Sequence, residues 1–205
     1  MTIKDFGARV VSVWEGLRPM TKKMLARALA ASGNTQTNTP TQKLSYDAHA
    51  DWELSRLLSA LDEQTRDAEI KKDAGKLREI KSLAYACAAV LQEKTESAEI
   101  FIQLAERAFS RHDYKKIDAL ADILARRFSV GEIAEIIRQT ELAQIRAVAF
   151  ETLAMLPAAS LVTLLDDPIY HEIAHLALEQ QAFEFDNEEA QQILEQMEFD
   201  EMDGE

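Results

Sequence analysis

One cysteine, four prolines and six glycines are scattered through 205 residues, and each scarcity excludes something. A lone Cys87 cannot close an intramolecular disulfide, so the chain is no disulfide-stapled scaffold. Its place in an apolar stretch marks it as a buried core thiol. With so little glycine and proline, a fold rich in tight turns is disfavoured. No Asn-Gly, no Asp-Gly between alternating apolar runs and no long Val/Thr/Tyr stretch signals a β-hairpin. The longest apolar run, Leu83 to Leu91, falls far short of the ~18 residues that suggest a membrane span. The first residues, Met1 to Phe6, lack a basic region followed by an apolar one, so no secretory signal is expected. A cytoplasmic protein fits these absences.

Basic charge is also short. The formal net charge is −13, unevenly spread. Residues 1–43 carry seven basic and two acidic groups, whereas residues 184–205 carry ten acidic groups and no basic one. An acidic body repels phosphate, which argues against nucleic acid as its partner. A protein partner with a basic surface suits the acidic end.

Helix formers dominate what is present, and the chain reads as all-α. Ile3, Phe6, Val10, Val13, Trp14 and Leu17 follow helical spacing, Pro19 interrupts, and a second helix over 21–31 ends at Gly33. Residues 1–32 are thus expected to form a basic helical hairpin. Residues 33–46 hold almost no large apolar side chain and read as a flexible linker. The body spans 47–198, followed by an acidic tail over 199–205.

Within the body a recurrence of 28 residues marks the C-terminal half. Ala105, Ile133 and Leu161 share a column, as do Phe109, Ile137 and Leu165. On the following helices the columns are Ile117, Ile145 and Ile173; Leu120, Val148 and Leu176; and Ala121, Ala149 and Ala177. Fixed-period self-similarity of this kind predicts stacked helical hairpins, an α-solenoid-like array. Thr95, Ser129 with Glu132, Asp167 before Pro168, and Asp186 with Glu189 are candidate helix caps.

The stretch Leu164-Leu165-Asp166-Asp167-Pro168, with Ile173 and Ala177 on the next helix, resembles HEAT/armadillo-like repeats over roughly residues 100–198. The unit is shorter than is usual there, and the basic residue typical of the second helix appears only as Arg146. The resemblance implies a curved helical segment that offers a surface to a protein partner.

One motif points to chemistry. His171-Glu172-Ile173-Ala174-His175 matches HExxH. Two histidines four apart on a helix share a face and can reach one zinc ion, and the glutamate between them can activate a metal-bound water. Glu188 or Glu189 would supply a third ligand, in which respect the stretch looks like a gluzincin metallopeptidase. Against this, Ile173 and Ala177 fall in the array columns, which account for the helix without metal. Nor does a strand precede it: residues 161–165 align with the helical Ile133 to Ile137. The histidines point away from Ile173, toward solvent or a groove.

The leading expectation is therefore a non-catalytic interaction scaffold or adaptor with no catalytic residue, no metal ligand and no cofactor. The alternative is a zinc-dependent metallopeptidase with His171 and His175 as ligands and Glu172 as base. A structural subunit of a larger complex is the third.

Overall fold

The computed structural model describes residues 3–32 and 46–203, and among these every regular element is a helix. The segment 33–45, nearly all of the expected linker, lies outside the described residues. The chain divides into two compact units, residues 1–95 and 96–205. This division differs from the expected one. The N-terminal hairpin does not stand apart but packs within the first unit, and residues 47–198 are split between the two.

The first unit begins with a 3-10 turn, Ile3–Phe6, followed by α1 (Ala8–Gly16), α2 (Pro19–Ser32), α3 (Ala48–Gln64), α4 (Ala68–Lys72) and α5 (Ala74–Lys94). Gly7 breaks the expected first helix. Its φ of 95° is one that side-chain-bearing residues rarely adopt, and the Gln64 side chain fills the space where a Cβ would stand. Apolar stripes on α3 (Leu54, Leu57, Leu58, Leu61) and α5 (Ile80, Ala84, Cys87, Leu91) are buried where these helices pack together. α1 lies against α3 and α2 against α5, which buries Val10 and Leu25.

A polar junction fixes this hairpin. Glu53 on α3 is 2% exposed and accepts hydrogen bonds from the Arg18 backbone amide (2.7 Å), Arg18 Nε (3.1 Å) and the buried Thr21 hydroxyl. The rest of the Arg18 guanidinium pairs twice with Asp47, at 2.7 and 3.0 Å, and Asp47 in turn caps α3 through the Ala50 amide. Burial acts to raise the Glu53 pKa. The hydrogen bonds from Thr21 and from both groups of Arg18 outweigh it and hold the carboxyl below its ordinary value. The Arg18 guanidinium, then the Ala50 amide, hold Asp47 well below the usual carboxylate range. Thr95, expected to cap the next helix, instead ends α5, and its hydroxyl donates to Asp51.

The second unit contains α6 (Ala98–Ser110), α7 (Tyr114–Arg127), α8 (Val130–Gln139), α9 (Ala143–Ala154), α10 (Ala158–Leu165), α11 (His171–Glu184) and α12 (Glu188–Asp203). Successive helices pair as α6/α7, α8/α9 and α10/α11. The first members pack side by side, α6 on α8 and α8 on α10, and so do the second, α7 on α9 and α9 on α11. This is an all-α helical array. The column Ala105, Ile133, Leu161 is buried along its whole length. Ser129 caps α8 as expected, its Oγ accepting from the Glu132 amide. The Glu132 carboxylate does not close a capping box; it accepts from the Ala98 amide at the start of α6 (2.6 Å).

The array ends in α12, which packs on α10 and α11. Three expectations about this end are corrected. α11 starts at His171 rather than Pro168, because Asp167 and Pro168 form a turn in which the Asp167 carboxylate accepts from the Ile169 amide. α12 is capped by Asn187, whose Oδ1 accepts from the Glu189 and Ala190 amides, while Asp186 holds a positive φ of 51° that turns the chain between the helices. And α12 runs on through residue 203, where a tail was expected from 199. Packing against α11 supports a helix that so acidic a segment would not sustain alone.

Candidate functional site

The HExxH residues occupy the first turn of α11. His171 Nδ1 lies 2.7 Å from the Leu165 carbonyl oxygen, a contact that orients the ring toward the preceding helix. The His171 and His175 rings stack with centroids 6.3 Å apart. His175 Nδ1 lies 3.7 Å from Glu179 Oε1, one turn on. Glu188 and Glu189, expected to complete a zinc site, sit in the first turn of α12. That turn directly follows the C-terminal end of α11, about 14 Å of helix away from His175. Among the described residues, no three His, Cys, Asp or Glu side chains are grouped to hold a metal ion. The residues present do not fit a zincin centre.

What His175 does line is a cleft of about 390 Å³ between α11 and α12. The register explains its walls. On α11, residues 182 and 183 lie three and four after 179, which lies four after 175; on α12, residues 194 and 195 lie three and four after 191, and 198 follows them at four and three, so each set shares one helical face. Ala182, Leu194 and Met197 give the cleft an apolar floor, Phe183 adds an exposed apolar wall, and Glu179, Glu195 and Glu198 give it a carboxylate rim. Phe183 is 77% exposed. Leu176, about two turns before Phe183 on α11, and Phe199, next to Glu198, are exposed as well. A phenylalanine left in water beside two half-buried aliphatic side chains is an apolar surface without an internal partner.

Two other clefts are less suited to be a site. One of about 450 Å³ is lined by Met155, Leu156, Phe185 and Asn187 beside Gln181. Gln181 is already committed there: buried, it donates to the Ala154 and Leu156 carbonyl oxygens at 2.9 and 2.7 Å, which ties α11 to the corner between α9 and α10. The other, about 230 Å³ in the first unit, adjoins Trp52, Glu53 and Arg56. Its charged groups are engaged too, Glu53 with Arg18 and Thr21, and Arg56 over the Trp52 ring at 4.6 Å.

Comparison with profiles of protein families, with curated proteins and with solved structures finds no match to this chain. Function must therefore be argued from the geometry.

Sequence reasoning pointed to the acidic character of residues 184–205, where α12 lies. It missed Phe183, Glu179 and the pairing of α11 with α12 that creates the cleft. A signal existed. Phe183 stands 28 residues after Met155, and both are exposed, so large apolar side chains recur in the array at a position that faces outward.

Proposed function

We propose that this protein is a non-catalytic interaction scaffold that binds another protein through the cleft between α11 and α12. The observation that carries this reading is Phe183, exposed beside Leu194 and Met197 and ringed by Glu179, Glu195 and Glu198. Protein interfaces centre on such apolar anchors, with charge confined to the rim. The resemblance of residues 100–198 to HEAT/armadillo-like repeats supports the same reading, since helical arrays of that kind present surfaces to protein partners. Cys87, the single cysteine of the sequence, is buried, which suits a reducing compartment such as the cytoplasm.

A photo-crosslinking amino acid in place of Phe183 tests the proposal in cells of the source organism, with Tyr85, an exposed residue of the first unit, as the control position. A discrete protein adduct from position 183 that is absent from position 85 is expected. Identical adducts from both positions, or none from position 183, refute the scaffold reading at this cleft.

A further inference from the structure

The charge around the cleft identifies its occupant. After Arg146 the chain has no lysine or arginine, while residues 147–205 carry fifteen carboxylates. Helices α10, α11 and α12 all lie in this stretch. Elsewhere in the unit acidic groups find cations nearby: Arg138, for example, pairs with Glu135 at 2.6 Å. The helices that form the α11–α12 cleft contain no lysine or arginine to do so, and of its rim carboxylates Glu179 lies 3.7 Å from His175 Nδ1. An apolar floor within a single-sign rim disfavours an acidic protein, a nucleic acid or an anionic membrane, because each brings like charge to the surface.

The shape points to a helix. The residues that line the cleft run from His175 to Phe183 on α11 and from Gln191 to Glu198 on α12, about 12 and 10 Å of helix axis. An amphipathic helix that presents apolar side chains at i, i+3 or i+4, and i+7 covers a floor of this length, and cations on its flanks then reach both rims.

Building on the scaffold reading, we propose that the cleft between α11 and α12 binds a basic amphipathic helix of a partner protein, with Phe183, Leu194 and Met197 contacting its apolar face and Glu179, Glu195 and Glu198 pairing with its lysines or arginines.

The test uses the full chain and fluorescein-labelled designed peptides of about 14 residues, enough for a marginally stable helix. One has leucines at helical spacing among lysines, one has glutamate in place of every lysine, and one has the leucine–lysine composition scrambled to destroy the apolar face. Fluorescence anisotropy should show saturable binding of the first peptide only. Phe183→Ala should weaken it about tenfold, as loss of a central anchor does. Glu195→Gln with Glu198→Gln should weaken it several-fold and flatten its salt dependence. Tyr114→Ala, an exposed aromatic outside the cleft, should leave it unchanged, and circular dichroism confirms that each variant is folded.

Equal binding of the scrambled peptide would reduce the interaction to bulk charge and overturn the proposal, as would binding of the glutamate peptide or indifference to Phe183→Ala. Phe183-dependent binding to neutral phosphatidylcholine vesicles without binding to the peptide would overturn it in favour of a lipid surface. The two proposals fail separately. A protein adduct at position 183 with no affinity for the basic helix leaves the scaffold reading standing and removes this occupant. Peptide binding without any adduct does the reverse.

Discussion

Replacing Glu53 by alanine should release the N-terminal hairpin from the rest of the first unit. The carboxylate is buried and serves three donors: the Arg18 amide, the Arg18 guanidinium and the Thr21 hydroxyl. Deleting one member of a buried charged pair costs about 3–5 kcal/mol when the other is left uncompensated. Arg18 is 38% exposed and keeps Asp47, so water and that carboxylate soften its loss; the Thr21 hydroxyl, fully buried, has no such relief. The expected destabilisation is about 3 kcal/mol, at the low end of that range. Glu53→Gln keeps one acceptor oxygen and should cost about 1–2 kcal/mol.

Both tryptophans, Trp14 and Trp52, belong to the first unit, so tryptophan fluorescence in a urea titration reports on that unit without interference from the second. A lower midpoint with an unchanged slope is the expected signature. Combining Glu53→Ala with Thr21→Val should cost less than the sum of the two, because each removes the same contact.

The pH dependence follows from the direction of the shifts. Glu53 and Asp47 are both held below their ordinary values in the folded chain. Their contribution is therefore fully present above the unfolded carboxylate range, about pH 4, and drains away as pH falls below it. Glu53→Gln should make that acid loss shallower. A destabilisation under about 1 kcal/mol for Glu53→Ala, within the range of an ordinary surface hydrogen bond, together with strict additivity, would refute the junction as the fastening of the hairpin.

Other expectations concern the second unit. Ile133→Ala, in the column buried along its length, should cost about 2–5 kcal/mol by chemical denaturation followed by circular dichroism, whereas Leu176→Ala, exposed at the end of its own column, should stay within about 0.5 kcal/mol; equal effects would show that the columns do not mark burial. Gln181→Leu should cost about 2–3 kcal/mol despite being more apolar, because it strips the Ala154 and Leu156 carbonyl oxygens of their donor, and a neutral or stabilising result would count against that tie. Protein purified without chelator should hold no stoichiometric zinc by atomic emission; a tightly held zinc that disappears in His171→Ala would revive the peptidase.

The array was legible in the sequence to different depths in its two rows of helices. Ala105, Ile133 and Leu161 are all buried, so their apolar character and their burial agree. The other row drifts: Leu120 is buried, Val148 half-buried and Leu176 46% exposed. Periodicity records which side of a helix is apolar but not whether anything covers it. What covers α11 depends on where α12 turns back, and that is set by Asn187, Asp186 and Gln181 rather than by any apolar repeat. The hairpin junction was hidden for a related reason. Arg18 and Glu53 are 35 residues apart, separated by a segment with no pattern, and a polar contact leaves no periodic trace. The HExxH spacing shows the reverse case. Its local part, two histidines on one helical face, was correctly legible, yet a metal centre also needs a third ligand from elsewhere in the chain, and the α11–α12 turn carries Glu188 and Glu189 to the wrong end of the helix.

The one-sided charge of the second unit gives a last test, because its two consequences respond to salt with opposite signs. The fifteen carboxylates of residues 147–205, with no lysine or arginine among them, repel one another. Added sodium chloride screens this repulsion, so the second unit should become more stable, not less, as ionic strength rises from about 0.01 to 0.15 M and the Debye length shrinks from about 30 to 8 Å. A basic helix in the cleft relieves the same repulsion by direct pairing. At a free concentration about 100-fold above its dissociation constant it should stabilise the unit by about 2.7 kcal/mol, and salt should erode that gain while it stabilises the unliganded chain. If salt instead destabilised the free protein, self-repulsion would be too weak to matter, and the acidic rim would lose its claim to select the partner.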